Sequence, residues 1–199
     1  KKPKVEEGGG GHVILFTGLI DHGLERKIKG LGGAVTEEPS QCSHVVVDDL
    51  KATAKLFAAI SLSKHIVSKK WIEASAKEKR WVEEDKHPPD ALKEFEQKNG
   101  CTLKESLAKA RKRKVMSGLK FFRAKDFEIN EADCRMIVKS AGGELVDSLP
   151  DAPDVIVLAS AKDLKGAAGK KYAKLERQSK DFVKFSALRQ SIDRKAYTL

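Results

Sequence analysis

A threonine followed by a glycine interrupts the apolar stretch "VILFTGL", residues 13–19, and raises the first chemical question. The Thr17 hydroxyl can donate one hydrogen bond, and the Gly18 N–H can donate with no side chain blocking approach. Such a pair suits an anion site lined by backbone. It also suits a strand that ends in a capping hydroxyl and a turn glycine. Other residues offer less chemistry. The five histidines show no nucleophile-base spacing, and no paired carboxylates converge. The three cysteines, Cys42, Cys101 and Cys134, lack metal-ligand spacing. "GLGGA" (30–34) is glycine-rich but follows a helical pattern, whereas a dinucleotide fingerprint follows a strand. His44 opens a strand and reads as structural. No catalysis, cofactor or bound metal is expected.

Charge favours an acidic partner. The 199 residues carry a net charge of +10, with Lys and Arg in excess. Residues 96–117 hold seven Lys/Arg against two Glu, and residues 165–180 hold six against one. Both stretches lie outside the part containing Thr17-Gly18, so charge does not point to that pair. "KARKRK" (109–114) fits a DNA-contacting helix, a nuclear-localisation signal or a solvated face equally well. Aromatic residues make up only 6%, and no groove-reading motif accompanies it. An odd number of scattered cysteines argues against a disulfide framework and fits a reducing interior such as nucleus or cytosol. No apolar run approaches the roughly 18–20 residues of a membrane span, and no signal-peptide pattern opens the sequence, so no membrane partner is expected.

The elements that must position these residues follow a repeated grammar. "KKPKVEEGGGG" (1–11) reads as a flexible leader. "HVILFT" (12–17) is strand material, and "LERKIKGL" (24–31) places Leu24, Ile28 and Leu31 on one helical face. "LGGAV" (31–35) ends that helix on glycine and starts a short strand. "SHVVVDD" (43–49) is a strand, "TAKLFAAISLS" (53–63) a helix, "HIV" (65–67) a buried strand and "KKWIEASAKEK" (69–79) a helix burying Trp71, Ile72 and Ser75. The second half restates the pattern with "GLKFFRA" (118–124), "EADCRMIVKSAGG" (131–143), "ELV" (144–146) and "PDVIVLAS" (153–160). Gly32 and Gly142 are 110 residues apart, as are His44 and Asp154, which indicates an internal duplication. Two domains of roughly 85 residues follow. Between them "TLKESLAKARKRKV" (102–115) sets Leu103, Leu107 and Ala110 at helical spacing, the pattern of a linker helix with a basic exterior.

The order "VLFTG"-like strand, helix, "LGG", "SHVVV", "TAK", "HIV" and Trp71, then a second copy with "AGG" and "VIVL", resembles tandem BRCT repeats from about residue 12 to 199. The first repeat and the "TLKESLAKARKRK" linker are similar to the C-terminal pairs of mediator-of-DNA-damage-checkpoint and PAX-interacting type. The resemblance implies an α/β fold of two BRCT-type domains. Each would be a small parallel four-stranded sheet flanked by helices, with a helical linker between them. The expected boundaries are 1–11 leader, 12–95 first repeat, 96–117 linker and 118–199 second repeat.

The resemblance also implies a phosphate site, made from a Ser/Thr-Gly at the end of the first strand and a lysine one turn into the second helix. These are Thr17, Gly18 and Lys55. The chemistry fits, because a phosphoserine brings nearly two negative charges and three acceptor oxygens. Lys55 would supply the charge-assisted bond, near the start of a helix whose free N–H groups favour an anion. The family reads the third residue after the phosphate in a pocket whose matching positions are the Ala52 backbone, Phe57 and a residue near Ile129. Two departures stand out. The mediator class has arginine at the position of Ala52, where a guanidinium would pair with a terminal carboxylate; Lys51 next door could substitute as a point charge. In the last helix, Phe182 stands where many repeats have tryptophan. "LKFFRA" closes in Arg-Ala rather than Thr-Gly, so a pocket built from Thr17-Gly18 is single. The expected function is a non-enzymatic phosphoserine/phosphothreonine-peptide reader in a nuclear DNA-damage response scaffold, with a phosphorylated histone tail as a candidate ligand. DNA binding through the basic linker and phosphate-independent scaffolding are the alternatives.

Overall fold

A computed structural model describes residues 11–18, 21–48, 50, 53–148 and 155–165. Leader residues 1–10, Lys51, Ala52, the lysines of 170–180 and Phe182 lie outside the described residues. In chain order the elements are β1 (Val13–Thr17), α1 (His22–Gly30), β2 (Ala34–Thr36), β3 (His44–Val47), α2 (Ala54–Ser61), β4 (His65–Ser68) and α3 (Lys69–Glu78). A 3-10 turn (Glu84–Lys86) follows, then α4 (Leu92–Asn99), α5 (Leu103–Lys112), β5 (Lys120–Arg123), α6 (Glu131–Ser140), β6 (Glu144–Val146), β7 (Val155–Leu158) and α7 (Ala161–Lys165).

The chain divides into two compact units, residues 1–49 with 65–90 and residues 50–64 with 91–199. The first contains a parallel sheet in the order β2-β1-β3-β4. All four residues of β3 are buried, as expected of a parallel strand covered on both faces. Its core gathers Ile14, Phe16, Leu24, Ile28, Val46, Val67, Trp71 and Ile72. Trp71 is fully buried yet satisfied, because its indole N–H donates to the Val82 carbonyl at 2.8 Å. Asp21 caps α1 by accepting from the Gly23 and Leu24 amides at 2.7 and 3.1 Å.

The second unit contains the parallel sheet β6-β5-β7, three strands among the described residues, over a core that includes Met116, Phe121, Phe127, Cys134, Val138 and Leu158. It also contains α2, which packs against α6 and α5. Asn130 caps α6, and Thr102 with Glu105 forms a reciprocal capping box on α5. The sequence pattern does not show α4. The basic linker is therefore two helices, separated where Gly100 takes a left-handed φ of +70°.

The duplicated glycine pairs serve the same purpose in both units. Gly32 and Gly142 end α1 and α6 at φ +77° and +88°, a conformation that a side chain disfavours. The next glycine lets the chain pass close to the core. A Cβ on Gly33 would lie 2.8 Å from Trp81, 2.9 Å from Ile28 and 3.0 Å from the His12 carbonyl oxygen. One on Gly143 would lie 3.0 Å from Phe121 and Val138. The same hydrogen bond closes each turn, Gly33 N to Ile28 O and Gly143 N to Val138 O, both at 2.9 Å.

Candidate functional site

Thr17 is the last residue of β1, an interior strand of its sheet, in register with Val47 of β3. Ile14, Leu15 and Phe16 anchor the strand in the core, so the position of the next two residues is fixed. Thr17 is itself buried, while Gly18 emerges exposed at φ +76°. Among the described residues, no atom beyond its chain neighbours lies within 4 Å of where a Gly18 Cβ would stand. A threonine and an exposed glycine thus end at the carboxyl edge of a parallel sheet, where such sheets hold ligands.

Lys55 sits in the first turn of α2, half-buried. The Thr53 hydroxyl caps this helix by accepting from the Leu56 amide at 3.1 Å. Helices α1, α4, α5 and α6 each carry an acidic residue in the first turn; α2, like α3, carries none. Its N-terminal partial charge therefore has no first-turn carboxylate of its own, and Lys55 adds a full positive charge. Phe57 follows on the same helix, partly buried. Ile129 is also partly buried and packs against the core of the second unit. The structure thus joins Thr17 to Gly18 at one strand end and Lys55 to Phe57 on one helix, with Ile129 in the same unit as that helix.

The second sheet has no Thr-Gly at the matching strand end: β5 closes in Arg123, with Ala124 next. Arg123 is committed to its own loop, donating from Nε to the Ile129 carbonyl at 2.7 Å and from Nη2 to that of Phe127 at 2.8 Å.

The basic run is divided in its use. Lys104, Arg111, Lys112 and Arg113 are exposed. Lys114 instead donates to the Ser61 carbonyl at 2.7 Å, and Ser63 Oγ donates to the Leu107 carbonyl at 3.2 Å. Burial, then the neighbouring Lys64, lowers the Lys114 ammonium from its ordinary pKa.

Sequence reasoning missed one constellation. His44 Nε2 lies 3.0 Å from Glu84 Oε1, and its ring stacks on those of His12 and Trp71 at centroid distances of 4.8 and 4.6 Å. His12 in turn stacks on Trp81 at 4.2 Å. Burial holds His44 down at about 4, even with Glu84 beside it, and lowers His12 as well. His12, His44 and Glu84 are separated by 32 and 40 residues, so no local spacing could reveal them. The three cysteines are free thiols, and burial pushes Cys134 up to about 11. Among the described residues no helix is long and apolar enough to cross a membrane.

Residues 11–88 match the family described as Regulator of Ty1 transposition protein 107 BRCT domain. The chain is 24% identical over 204 residues to human Mediator of DNA damage checkpoint protein 1, covering all of this chain and 10% of that protein. It is 33% identical over 147 residues to bovine PAX-interacting protein 1, covering 69% of this chain and 14% of that protein. The chain thus spans only a small fraction of the relatives it matches. The structure resembles that of the S. pombe Brc1 BRCT5-BRCT6 domains with a TM-score of 0.74 at 22% identity, covering 92% of each chain. It also resembles Rtt107p in its complex with a phosphorylated histone, with a TM-score of 0.57 at 12% identity, covering 94% of this chain and 92% of that one. Both likenesses concern the fold. Residues 11–88 are thus an Rtt107-type BRCT domain, and the fold of the chain matches that of a tandem BRCT structure.

Proposed function

We propose that this chain is a phosphoserine/phosphothreonine-peptide-binding module of a nuclear DNA-damage response scaffold, acting by binding rather than catalysis. Its repeats would be residues 12–95 and 118–199, joined by 96–117. Thr17, Gly18 and Lys55 are the proposed phosphate donors. The observation that carries the reading is exposed Gly18, with open space where a side chain would stand, next to Thr17 at the carboxyl edge of the first sheet. Lys55, on a helix whose first turn has no carboxylate, supports it with charge. Rtt107p, a protein of this fold, forms a complex with a phosphorylated histone, and a phosphorylated histone tail is the ligand class proposed for this chain.

Ala52, Phe57 and Ile129 are the proposed peptide-reading positions, and Lys51 the carboxylate contact. The test compares a phosphorylated peptide library with unmodified twins, each with free and amidated C-termini. Phosphate-dependent binding supports the reading, and equal binding of the twins overturns it. A preference for the free C-terminus would support Lys51 as a carboxylate contact. The exposed cations of α5 favour a second reading, DNA binding through the linker. That reading requires steep salt dependence and loss of duplex binding when residues 109–113 are neutralised.

A further inference from the structure

Three side chains from distant parts of the first unit converge at the end of its sheet opposite Thr17-Gly18. His12 precedes β1, His44 begins β3, and Glu84 begins the 3-10 turn. One ligand atom from each lies within 4.8 Å of the others. We propose that His12, His44 and Glu84 form a site for a divalent first-row metal ion, zinc by its preference for imidazole and carboxylate, with a fourth position left to water.

The donor set is that of a three-ligand zinc site with two imidazoles and one carboxylate. Ligand atoms about 2.0–2.1 Å from a tetrahedral ion stand roughly 3.4 Å apart. The His44–Glu84 pair, at 3.0 Å, is already close to that spacing. The remaining adjustment falls on His12 and Glu84, both only partly buried, while His44 is buried and held by the Trp71 stack.

Ser43 supplies the supporting contact. Its hydroxyl lies 2.8 Å from His44 Nδ1, accepts from the Val13 amide at 2.9 Å and lies 3.1 Å from the Val13 carbonyl oxygen. The single hydroxyl proton can serve His44 or Val13, but not both. If it goes to Nδ1, the Nε2–H points at Glu84, a satisfied metal-free arrangement. If it goes to the Val13 carbonyl, Nδ1–H donates to Ser43 and Nε2 presents a bare lone pair towards the Glu84 carboxylate. That second tautomer is repulsive alone and becomes favourable with a cation between the two. Ser43 therefore accommodates both states without moving, as an outer partner of a metal-ligating histidine does.

The test is titration of chelator-stripped protein with zinc by calorimetry and with cobalt(II) by visible absorption. Wild type should bind one equivalent of zinc, with cobalt bands of tetrahedral or five-coordinate intensity. His12→Phe keeps an aromatic ring in the stack but removes a ligand, and Glu84→Gln keeps the shape but removes the charge. Each variant that retains the wild-type circular dichroism should bind at least tenfold more weakly. His22→Ala, at an exposed histidine, should match wild type. The proposal is overturned if wild type takes no zinc, or if both substitutions leave its affinity unchanged.

Discussion

Lys114 Nζ donates to the carbonyl oxygen of Ser61 at 2.7 Å, so one cation of "KARKRK" caps the last turn of α2. The Lys114 side chain also lies over Gly142, where a Cβ would meet it at 2.6 Å. A charge-assisted bond to a helix-terminal carbonyl is worth about 1–2 kcal/mol. Lys114→Met should therefore lower unfolding stability in urea by that amount. Neutralising the exposed Arg111 and Lys112 should change it by less than about 0.5 kcal/mol. Equal effects would mean that Lys114 belongs to the solvated face with the others.

Much of the fold was legible because the signals were local. "SHVVVDD" reads as a strand, and Gly32-Gly33 and Gly142-Gly143 as helix stops. What was not legible depends on long-range packing. Nothing within residues 53–63 says that α2 gathers with α5 and α6 instead of with the strands on either side of it in the chain. Helix α4 starts after a left-handed Ala91 with no side-chain cap, so its N-terminus carries none of the usual markers. For the candidate site, Thr17-Gly18 stood out as a hydroxyl and a glycine at a strand end. Lys55 needed the family likeness, because a lysine in a first helical turn is ordinary. The His12–His44–Glu84 group needed strand register, which only the folded sheet supplies.

Gly33→Ala and Gly143→Ala should both destabilise, but unequally. At Gly33 one obstacle is the His12 carbonyl oxygen at 3.0 Å, backbone that itself accepts from the Ala34 amide at 2.9 Å and cannot move aside. At Gly143 the near atoms are all side chain, from Phe121, Val138 and Met116. Overpacking costs about 1–3 kcal/mol, and Gly33→Ala belongs at the upper end. Thermal melts of the two variants decide this. A larger loss for Gly143→Ala would contradict the packing argument.

Lys55→Met should weaken a phosphopeptide about 10- to 100-fold, the range of a lost charge-assisted bond of about 1.5–3 kcal/mol. It should leave any binding of the unmodified twin unchanged. Gly18→Ala should weaken both fold and ligand, since φ +76° strains a side chain at that position. Fluorescence anisotropy with both peptides separates the two effects. A Lys55→Met protein that binds the phosphopeptide as wild type does would remove the lysine from the site.

Asp163 provides the pH test of the second unit. The residue is buried, which raises its pKa. Hydrogen bonds from the Ser160 and Asp126 amides and the Ser160 hydroxyl, each 2.8 Å long, oppose this and leave the carboxyl below the ordinary 3.8. The native state thus binds this proton less readily than the unfolded chain does. Its contribution to stability is complete above the ordinary aspartate value and is lost as pH falls through the native one. Asp163→Asn fixes a neutral group whose amide cannot accept at both positions, so one backbone donor loses its partner, at a cost of about 1–3 kcal/mol. Urea unfolding should show the full deficit at neutral pH. The gap to wild type should narrow as pH falls below the ordinary aspartate value, where wild type loses its own carboxylate bonds. A deficit that stays constant across that range would show that Asp163 contributes by shape rather than by charge.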